Sequence, residues 1–340
     1  MTIDLRSDTV TKPTPEMLEA MMAAEVGDDV FGEDPTVNQL EKKAASLFGM
    51  DGALFCPSGT MTNQIAIKTL TNPYEEIICY SGAHIYKYEG GGAMGNSGVS
   101  MRLLPGQRGV LNADDIEENI NPDDAHNPIT SVVALENTVN KGGGCFYTLG
   151  RIERIAQVCE QNNLKLHLDG ARVFNALVET EDEAKDYGKY FDTISICLSK
   201  GLGAPVGSLL LFKEEYAKKA HRIRKVFGGG MRQAGYLAAA GIYALDNHIE
   251  RLWDDHQRAK QIEAVLEKLP YVEKVLPVQT NIVIFELEGN TTAKSYLEKL
   301  EKKGILAVPF GPKEVRFVTH LDYDDEMLEK TLKVIKELEI

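Results

Sequence analysis

An aspartate and a lysine, each following a short apolar run, are the residues of this chain best placed to do chemistry. Asp169 follows the run 164–168, and Lys200 follows the next run, 193–198. The sequence between the two runs is helical in character, so both residues are expected at the carboxyl edge of one parallel sheet. Because an unpaired buried ion costs several kcal/mol, we expect both side chains to contact a ligand at that edge.

Pyridoxal phosphate is a ligand that suits this pair. It needs a lysine for a Schiff base, an acid that keeps its pyridine nitrogen protonated, and donors for its phosphate. Lys200 is the expected Schiff-base lysine; the alternative is a surface lysine, with Lys87 as the nearest rival. Asp169 is expected to pair with the ring nitrogen, although an aspartate at this position could instead cap the following helix.

A phosphate site is expected at Ser58, Gly59 and Thr60, which follow the predicted strand 53–55 and precede a helical run. Backbone N–H groups at a helix start and the Thr60 hydroxyl could hold the phosphate, although an ordinary turn would have the same pattern. The glycine-rich segment 201–207 has Val206 where a dinucleotide fingerprint has its third glycine. Hydride-transfer cofactors are therefore disfavoured.

The motifs Asp169-Gly170-Ala171-Arg172 and Ser199-Lys200-Gly201 belong to a longer series whose joint order is more specific than any one block. The further blocks are 5–11, 27–36, 57–61, 136–138 and 228–233. Together they resemble the L-threonine aldolases of low-specificity type, in the threonine aldolase and aromatic amino acid beta-eliminating lyase family. The resemblance implies fold type I, an aspartate aminotransferase-like α/β domain with a mostly parallel seven-stranded sheet, and a small C-terminal α+β domain.

The resemblance also implies roles that spacing alone does not give. His84 would stack on the pyridine ring, and Tyr88 would line the same pocket. His126 would reach the substrate site of a neighbouring subunit, while Lys225 and Arg232 would approach the cofactor phosphate across a dimer interface. His84, His126 or an ordered water would take the proton of the substrate's β-hydroxyl.

Two arginines are the candidates to bind the substrate carboxylate, since a guanidinium can donate two parallel hydrogen bonds to it. These are Arg172, which also belongs to the expected cofactor site, and Arg316, with Ser7 assisting. By its spacing alone Arg316 is more typical of a solvated strand residue, and the resemblance reverses that interpretation. His167, inside an apolar run, is expected to pack in the core.

The implied activity is retro-aldol cleavage of L-threonine or L-allo-threonine to glycine and acetaldehyde. A different lyase acting on β-hydroxy amino acids, or a β-eliminating lyase, is the alternative on the same scaffold. A cofactor-binding protein without catalysis is a remote third. No metal is expected at the site, and the resemblance implies a homotetramer whose active site lies at a dimer interface.

Size and composition limit the other possibilities. A chain of 340 residues predicts an arm at 1–35, a large cofactor domain at 36–245 and a small domain at 246–340. The formal net charge of −14 disfavours nucleic acid and anionic membranes as partners. Five scattered cysteines indicate reduced thiols, and the amino-terminal residues lack signal-peptide character, so a cytoplasmic location is expected.

The elements that must position these residues follow from apolar periodicity and turn residues. Helices are expected at 14–25, at 36–48 with Gly49 ending it, and over a long segment from about Met231 through Leu252. In the C-terminal part, strands at 272–278, 281–287, 305–308 and 315–318 accompany helices at 292–303 and 325–338. Seven strands of the large domain are expected at 53–55, 77–80, 101–104, 132–135, 164–168, 193–198 and 208–212.

Overall fold

The computed structural model describes residues 2–339, and its strands and helices alternate over most of that range. The strands are β1 (Ile3–Asp4), β2 (Gly52–Cys56), β3 (Glu76–Tyr80), β4 (Ser100–Leu104), β5 (Thr130–Glu136), β6 (Lys165–Gly170), β7 (Thr193–Cys197), β8 (Ser208–Phe212), β9 (Val272–Val275), β10 (Ile282–Leu287), β11 (Ile305–Leu306), β12 (Val308–Pro309) and β13 (Glu314–Val318). The helices are α1 (Pro15–Met22), α2 (Pro35–Phe48), α3 (Gly59–Leu70), α4 (His84–Lys87), α5 (Gly92–Ser97), α6 (Ala113–Glu117), α7 (Leu149–Gln161), α8 (Val173–Thr180), α9 (Ala184–Gly188), α10 (Ala217–Val226), α11 (Gly235–Asn247), α12 (Leu252–Leu266), α13 (Ala293–Lys302) and α14 (Asp325–Glu337).

Seven strands form one large sheet in the order β2-β8-β7-β6-β5-β3-β4. Strand β8 runs antiparallel to both of its neighbours, and the remaining pairs are parallel. Most side chains of these strands are buried, as expected when helices cover both faces of a sheet. Each of the seven apolar runs forms a strand, so the mostly parallel sheet predicted from the sequence is confirmed.

Parallel strands bring their carboxyl ends to one edge of this sheet. Glu136 of β5 is in register with Asp169 of β6, and the Asn137 N–H donates to the Asp169 carbonyl over 2.9 Å. Lys200 follows the end of the adjacent strand β7. The sheet therefore places two carboxylates and one amine at neighbouring strand ends.

The C-terminal part forms a second unit with its own core. Strands β12, β13, β10 and β9 make an antiparallel sheet, and the rings of Phe285, Phe317 and Tyr296 pack edge to face. The amino-terminal arm joins this unit, because β1 pairs in parallel with β11 and both Ile3 and Leu5 are buried in its core. This α+β arrangement agrees with the prediction.

Two predicted elements are wrong. The long helix expected from Met231 onward is two helices, α11 and α12, because His248 lies between them with its Nδ1 bonded to the Leu202 carbonyl at 2.8 Å. The strand expected at 305–308 is split into β11 and β12, which pair with different partners. Gly49 does end α2, in the left-handed conformation at φ 62°.

Within residues 2–339, none of the helices combines the length and the apolar character that crossing a bilayer requires. The five cysteines are all buried and free of disulfide bonds.

A buried ionic cluster connects the segment after α1 to the strand that precedes the expected phosphate site. Arg224 Nη2 lies 3.0 Å from Asp29 Oδ2, and its Nη1 donates to the Phe55 carbonyl over 2.9 Å. The Phe55 N–H donates to Glu41 Oε1 over 2.7 Å. Burial raises the pKa of Glu41 to about 7, so this carboxylate depends on the nearby guanidinium.

Replacement of Arg224 by leucine should lower the free energy of unfolding by about 3 kcal/mol, because Asp29 and Glu41 lose their buried counter-charge. Arg232→Leu is the matched control: this guanidinium pairs with Asp28 at 2.9 Å with its side chain 54% exposed, so its loss should cost below about 1 kcal/mol. Urea denaturation of the cofactor-free protein measures both. Equal losses of unfolding free energy in the two variants would contradict the role of Arg224 as the buried counter-charge.

Candidate active site

One pocket of about 360 Å³ lies where the carboxyl edge of the large sheet meets the second unit and the amino-terminal arm. It brings together six of the residues singled out in the sequence, although they are spread over 310 positions of the chain. They are Ser7, His84, Tyr88, Arg172, Lys200 and Arg316, and the remaining lining residues are Thr9, Asn140, Lys141, Val308, Pro309 and Phe310.

Arg172 reaches the pocket already paired. Its Nε and Nη2 donate to the two carboxylate oxygens of Asp8 over 2.7 Å each, and both side chains are buried. Burial would raise the pKa of Asp8, but the guanidinium outweighs it and holds that pKa far below its usual range. Arg172 was expected to grip the substrate carboxylate with a parallel pair of donors, whereas this pair is directed at Asp8 and only Nη1 is left.

Arg316, unlike Arg172, has a guanidinium that is not paired with a carboxylate of the described chain. Its Nη1 donates to Asn140 Oδ1 over 2.8 Å and its Nη2 to the Arg6 carbonyl over 2.9 Å, while its buried Nε has no hydrogen-bond partner. Within residues 2–339 it forms no ion pair with a carboxylate, and burial lowers its pKa to about 10. A guanidinium that lacks a counter-charge in a pocket is suited to an anionic ligand.

Asp169 is a buried carboxylate with only neutral partners. Its Oδ2 accepts from Asn63 over 3.0 Å and its Oδ1 from the Ala171 N–H over 3.2 Å. No lysine or arginine of the described chain forms an ion pair with it. A cationic ring nitrogen would supply the missing charge, so this carboxylate fits the role that pyridoxal phosphate requires.

Lys200 extends into the pocket from the turn after β7. The Gly203 N–H closes this turn on the Lys200 carbonyl over 2.9 Å, and Gly203 adopts φ 78°, which favours glycine. The rival Lys87 is exposed on α4 and does not line the pocket. The geometry thus separates two lysines that the sequence left in competition.

His84 is tied to a carboxylate that the sequence did not reveal. Its Nδ1 lies 3.1 Å from Glu89 Oε1, and its ring centroid is 5.6 Å from that of Tyr88. Burial by itself lowers the pKa of His84, but the hydrogen bond that its ring donates to Glu89 and the charge of Asp169 raise that pKa above its ordinary value. With Nδ1 engaged, Nε2 is the nitrogen left for a ligand.

The expected phosphate cradle is the start of α3. Ser58 caps this helix, with its Oγ accepting from the Met61 N–H over 3.2 Å, and a helix leaves its first N–H groups without internal acceptors. A Cβ at Gly59 would lie 2.6 Å from Cys197 Sγ, so the backbone here approaches β7 closely. Thr60 follows in the first turn. This combination of free donors and close packing fits a phosphate.

Besides Asp169 and the start of α3, three predicted site residues do not line the pocket of their own chain. The His126 side chain is 92% exposed, with its Nδ1 at 2.6 Å from Asp124. Arg232 pairs with Asp28, and Lys225 is exposed at the end of α10. These positions are what a contribution to another subunit would require.

The sequence analysis missed four buried groups that support the pocket: Asp8, Asn63, Glu89 and Glu136. Glu136 accepts from the backbone N–H groups of His84 and Asn140 over 2.8 Å each. Burial and the neighbouring Asp169 raise its pKa to about 7. Its place at the end of an apolar strand, as for Asp169, was a signal that could have identified it.

The fold and this site define a class. A mostly parallel seven-stranded sheet with an aspartate and a lysine at its carboxyl edge is the arrangement of a pyridoxal-phosphate enzyme of fold type I. A sequence profile of the beta-eliminating lyases matches residues 4–289. The chain belongs to the beta-eliminating lyase family, whose members depend on pyridoxal phosphate.

Known relatives agree from end to end. The low specificity L-threonine aldolase of Escherichia coli (strain K12) is 44% identical over 329 residues, which cover 96% of each chain. A probable low-specificity L-threonine aldolase of Arabidopsis thaliana is 38% identical over 99% of this chain and 97% of its own. The solved structure of a threonine aldolase from Leishmania major has the same fold, with a TM-score of 0.86, 23% identity and 98% coverage of both chains.

Gly59→Ala should weaken cofactor binding by roughly ten- to a hundredfold, since overpacking of about 1–3 kcal/mol displaces the start of α3. The clash is with one atom, Cys197 Sγ at 2.6 Å. The double variant Gly59→Ala/Cys197→Ala should therefore recover most of the affinity, with Cys197→Ala alone as control. Titration of the cofactor-free protein with pyridoxal phosphate measures this, and a double variant as weak as Gly59→Ala would refute the steric explanation.

Glu89→Gln should lower the pKa of His84, because the carboxylate that favours the imidazolium is replaced by a neutral amide. NMR titration of the His84 imidazole in cofactor-free protein reports the shift directly. His126, whose partner is Asp124, serves as an internal reference in the same spectra. A His84 titration curve unchanged by the substitution would show that Glu89 does not set its charge.

Proposed function

We propose that this chain cleaves L-threonine and L-allo-threonine to glycine and acetaldehyde in a pyridoxal-phosphate-dependent retro-aldol reaction. The observation that carries the proposal is the end-to-end similarity to low-specificity L-threonine aldolases, at 44% identity over 96% of the chain. The pocket supports it, because a lysine, an unpaired arginine and a histidine converge on one space of about 360 Å³.

In this proposal, five groups hold the cofactor. Lys200 would hold its aldehyde covalently, Asp169 its ring nitrogen, and the start of α3 at Ser58, Gly59 and Thr60 its phosphate. Bound there, pyridoxal phosphate supplies a cationic ring that accepts the electron pair left on Cα when the Cα–Cβ bond breaks. His84 lies close enough to Asp169 to cover the ring, since their ligand atoms and that of Glu89 lie within 4.8 Å of one another.

The substrate carboxylate would bind mainly to Arg316. Its unpartnered Nε and the absence of an ion pair within residues 2–339 make it the stronger of the two candidate arginines. Arg172 Nη1 and Ser7 would complete the contact, while Asp8 keeps the Arg172 guanidinium in one orientation. Fixing the carboxylate orients the bonds at Cα, and this orientation selects which bond breaks.

A proton must leave the substrate's β-hydroxyl as the Cα–Cβ bond breaks. His84 Nε2 is suited to accept it, because Glu89 at Nδ1 stabilises the imidazolium that forms. His126 from a neighbouring subunit, or an ordered water, is the alternative acceptor of that proton.

We propose further that the chain assembles as a homotetramer with its active sites at dimer interfaces. Support comes from His126, Lys225 and Arg232, which lie outside their own pocket, and from exposed apolar side chains such as Phe31 and Val226, 73% and 78% exposed. A cytoplasmic location is supported by five buried, unpaired cysteines.

A division into an arm (1–35), a large domain (36–245) and a small domain (246–340) is also proposed. Two separate cores support it. The first extends as far as Leu252, a few residues past the proposed boundary, and the second takes Ile3 and Leu5 from the arm.

Lys200→Ala should abolish release of glycine from both threonine diastereomers, because no other amine of the pocket lies in that turn. Lys87→Ala is the control and should retain wild-type turnover, since Lys87 is exposed outside the pocket. Glycine and acetaldehyde are quantified with each diastereomer, and borohydride trapping locates the modified lysine. Glycine production by Lys200→Ala at the wild-type rate would refute the assignment.

A further inference from the structure

A chain of hydrogen bonds runs through the sheet beneath the pocket and ends on two carboxylates of the site. Thr193 Oγ1 lies 2.8 Å from His167 Nδ1, and His167 Nε2 lies 3.1 Å from Asn63 Oδ1. The Asn63 Nδ2 group donates to Glu89 Oε1 over 2.8 Å and to Asp169 Oδ2 over 3.0 Å. All five side chains are buried.

The direction of each hydrogen bond in this chain is determined by chemistry. Ionised carboxylates only accept, so the amide nitrogen of Asn63 must face Glu89 and Asp169, and its oxygen must face His167. The Asn63 oxygen only accepts, so His167 carries its hydrogen on Nε2. Burial lowers the pKa of His167 to about 4, which leaves the ring neutral near physiological pH. Nδ1 then accepts from the Thr193 hydroxyl.

The two carboxylates serve different parts of the proposed mechanism. Asp169 would face the ring nitrogen, and Glu89 holds His84 Nδ1. Their ligand atoms lie within 4.8 Å of each other, and two like charges at such a distance favour protonation of one. The Asn63 amide has two hydrogens, and both are used to satisfy these two groups.

We propose that Asn63 is a positioning residue that keeps Asp169 and Glu89 ionised together, with His167 and Thr193 fixing the orientation of its amide. The inference rests on the proposed function of the pocket. It makes one amide the link between Asp169, which would hold the cofactor ring, and Glu89, which holds the histidine that would receive the substrate proton. His167, expected to serve core packing, acquires an orienting role through both of its ring nitrogens.

The test replaces Asn63 by leucine, which has a similar volume and no polar atoms. Enzyme loaded with ¹⁵N-labelled pyridoxal phosphate reports through the ring-nitrogen chemical shift whether that nitrogen carries a proton. In Asn63→Leu the ring should lose its proton at lower pH than in the wild type, because Asp169 more readily takes up a proton itself. We expect kcat to fall by roughly ten- to a hundredfold, with little change in KM.

Gln64→Leu is the matched control on the same helix. Gln64 donates to Glu89 Oε2 over 2.6 Å and has no hydrogen bond to Asp169. Its loss should leave the titration of the ring nitrogen as in the wild type. A ring nitrogen that titrates identically in Asn63→Leu and the wild type would overturn the proposal, even if turnover falls.

A second pair of variants covers failure of Asn63→Leu to fold. His167→Leu removes the donor to Asn63 and should shift the ring-nitrogen titration in the same direction, whereas His167→Gln, which keeps a donor, should restore much of the wild-type behaviour. If the cofactor ring nitrogen titrated at the same pH in His167→Leu and His167→Gln, the role of His167 in orienting the Asn63 amide would be overturned. Wild-type protein that holds a protonated cofactor but forms no glycine would contradict the proposed function alone.

Discussion

Four carboxylates, those of Asp8, Glu89, Glu136 and Asp169, lie buried around one pocket. Removing a charge from water without pairing it costs several kcal/mol, so each must receive donors or a counter-charge. Asp8 pairs with the Arg172 guanidinium, and Glu136 accepts hydrogen bonds from two backbone N–H groups. Glu89 accepts from the side-chain amides of Asn63 and Gln64 and pairs with His84. Asp169 and Glu136 both have only neutral donors among the described residues, and burial and the neighbouring Asp169 raise the pKa of Glu136 to about 7. In the proposed function, a cationic ring nitrogen at Asp169 would supply a counter-charge that the described residues do not.

The need to satisfy these groups also explains the geometry of the side chains around them. Arg172 cannot present its forked face to a substrate while Asp8 occupies it, which supports the proposal that Arg316 is the main carboxylate-binding residue. Glu136 holds the backbone at both His84 and Asn140, and so joins two loops that come from distant parts of the sequence. The buried carboxylates therefore fix the positions of the pocket residues, as the sheet does.

The two units of the chain meet at the pocket, and the amino-terminal arm connects them. Strand β1 pairs with β11 of the second unit, and the chain then passes to Ser7, which lines the pocket, and to Asp8, which pairs with Arg172. Arg316 comes from β13 of that second unit, while Lys200 and Asp169 come from the large sheet. A ligand bound between them would therefore contact both units.

The sequence by itself determined the elements and the residues with reactive side chains. Apolar runs of strand length predicted all seven strands of the large sheet, because burial on both faces imposes a continuous apolar pattern that a single sequence displays. The lysine and aspartate at two of these strand ends were found in the same way, and the resemblance added Arg316 and His84.

Only the tertiary structure decided the hydrogen-bond and ion-pair partners of these residues. It shows that Asp8 pairs with Arg172, that Asn63 joins Glu89 to Asp169, and that the segment around His248 breaks a predicted helix. Hydrogen bonds between residues 164 positions apart, as for Arg172 and Asp8, leave no periodic trace in a sequence. They depend on which groups folding leaves buried and unpaired, and that is a property of the packed chain.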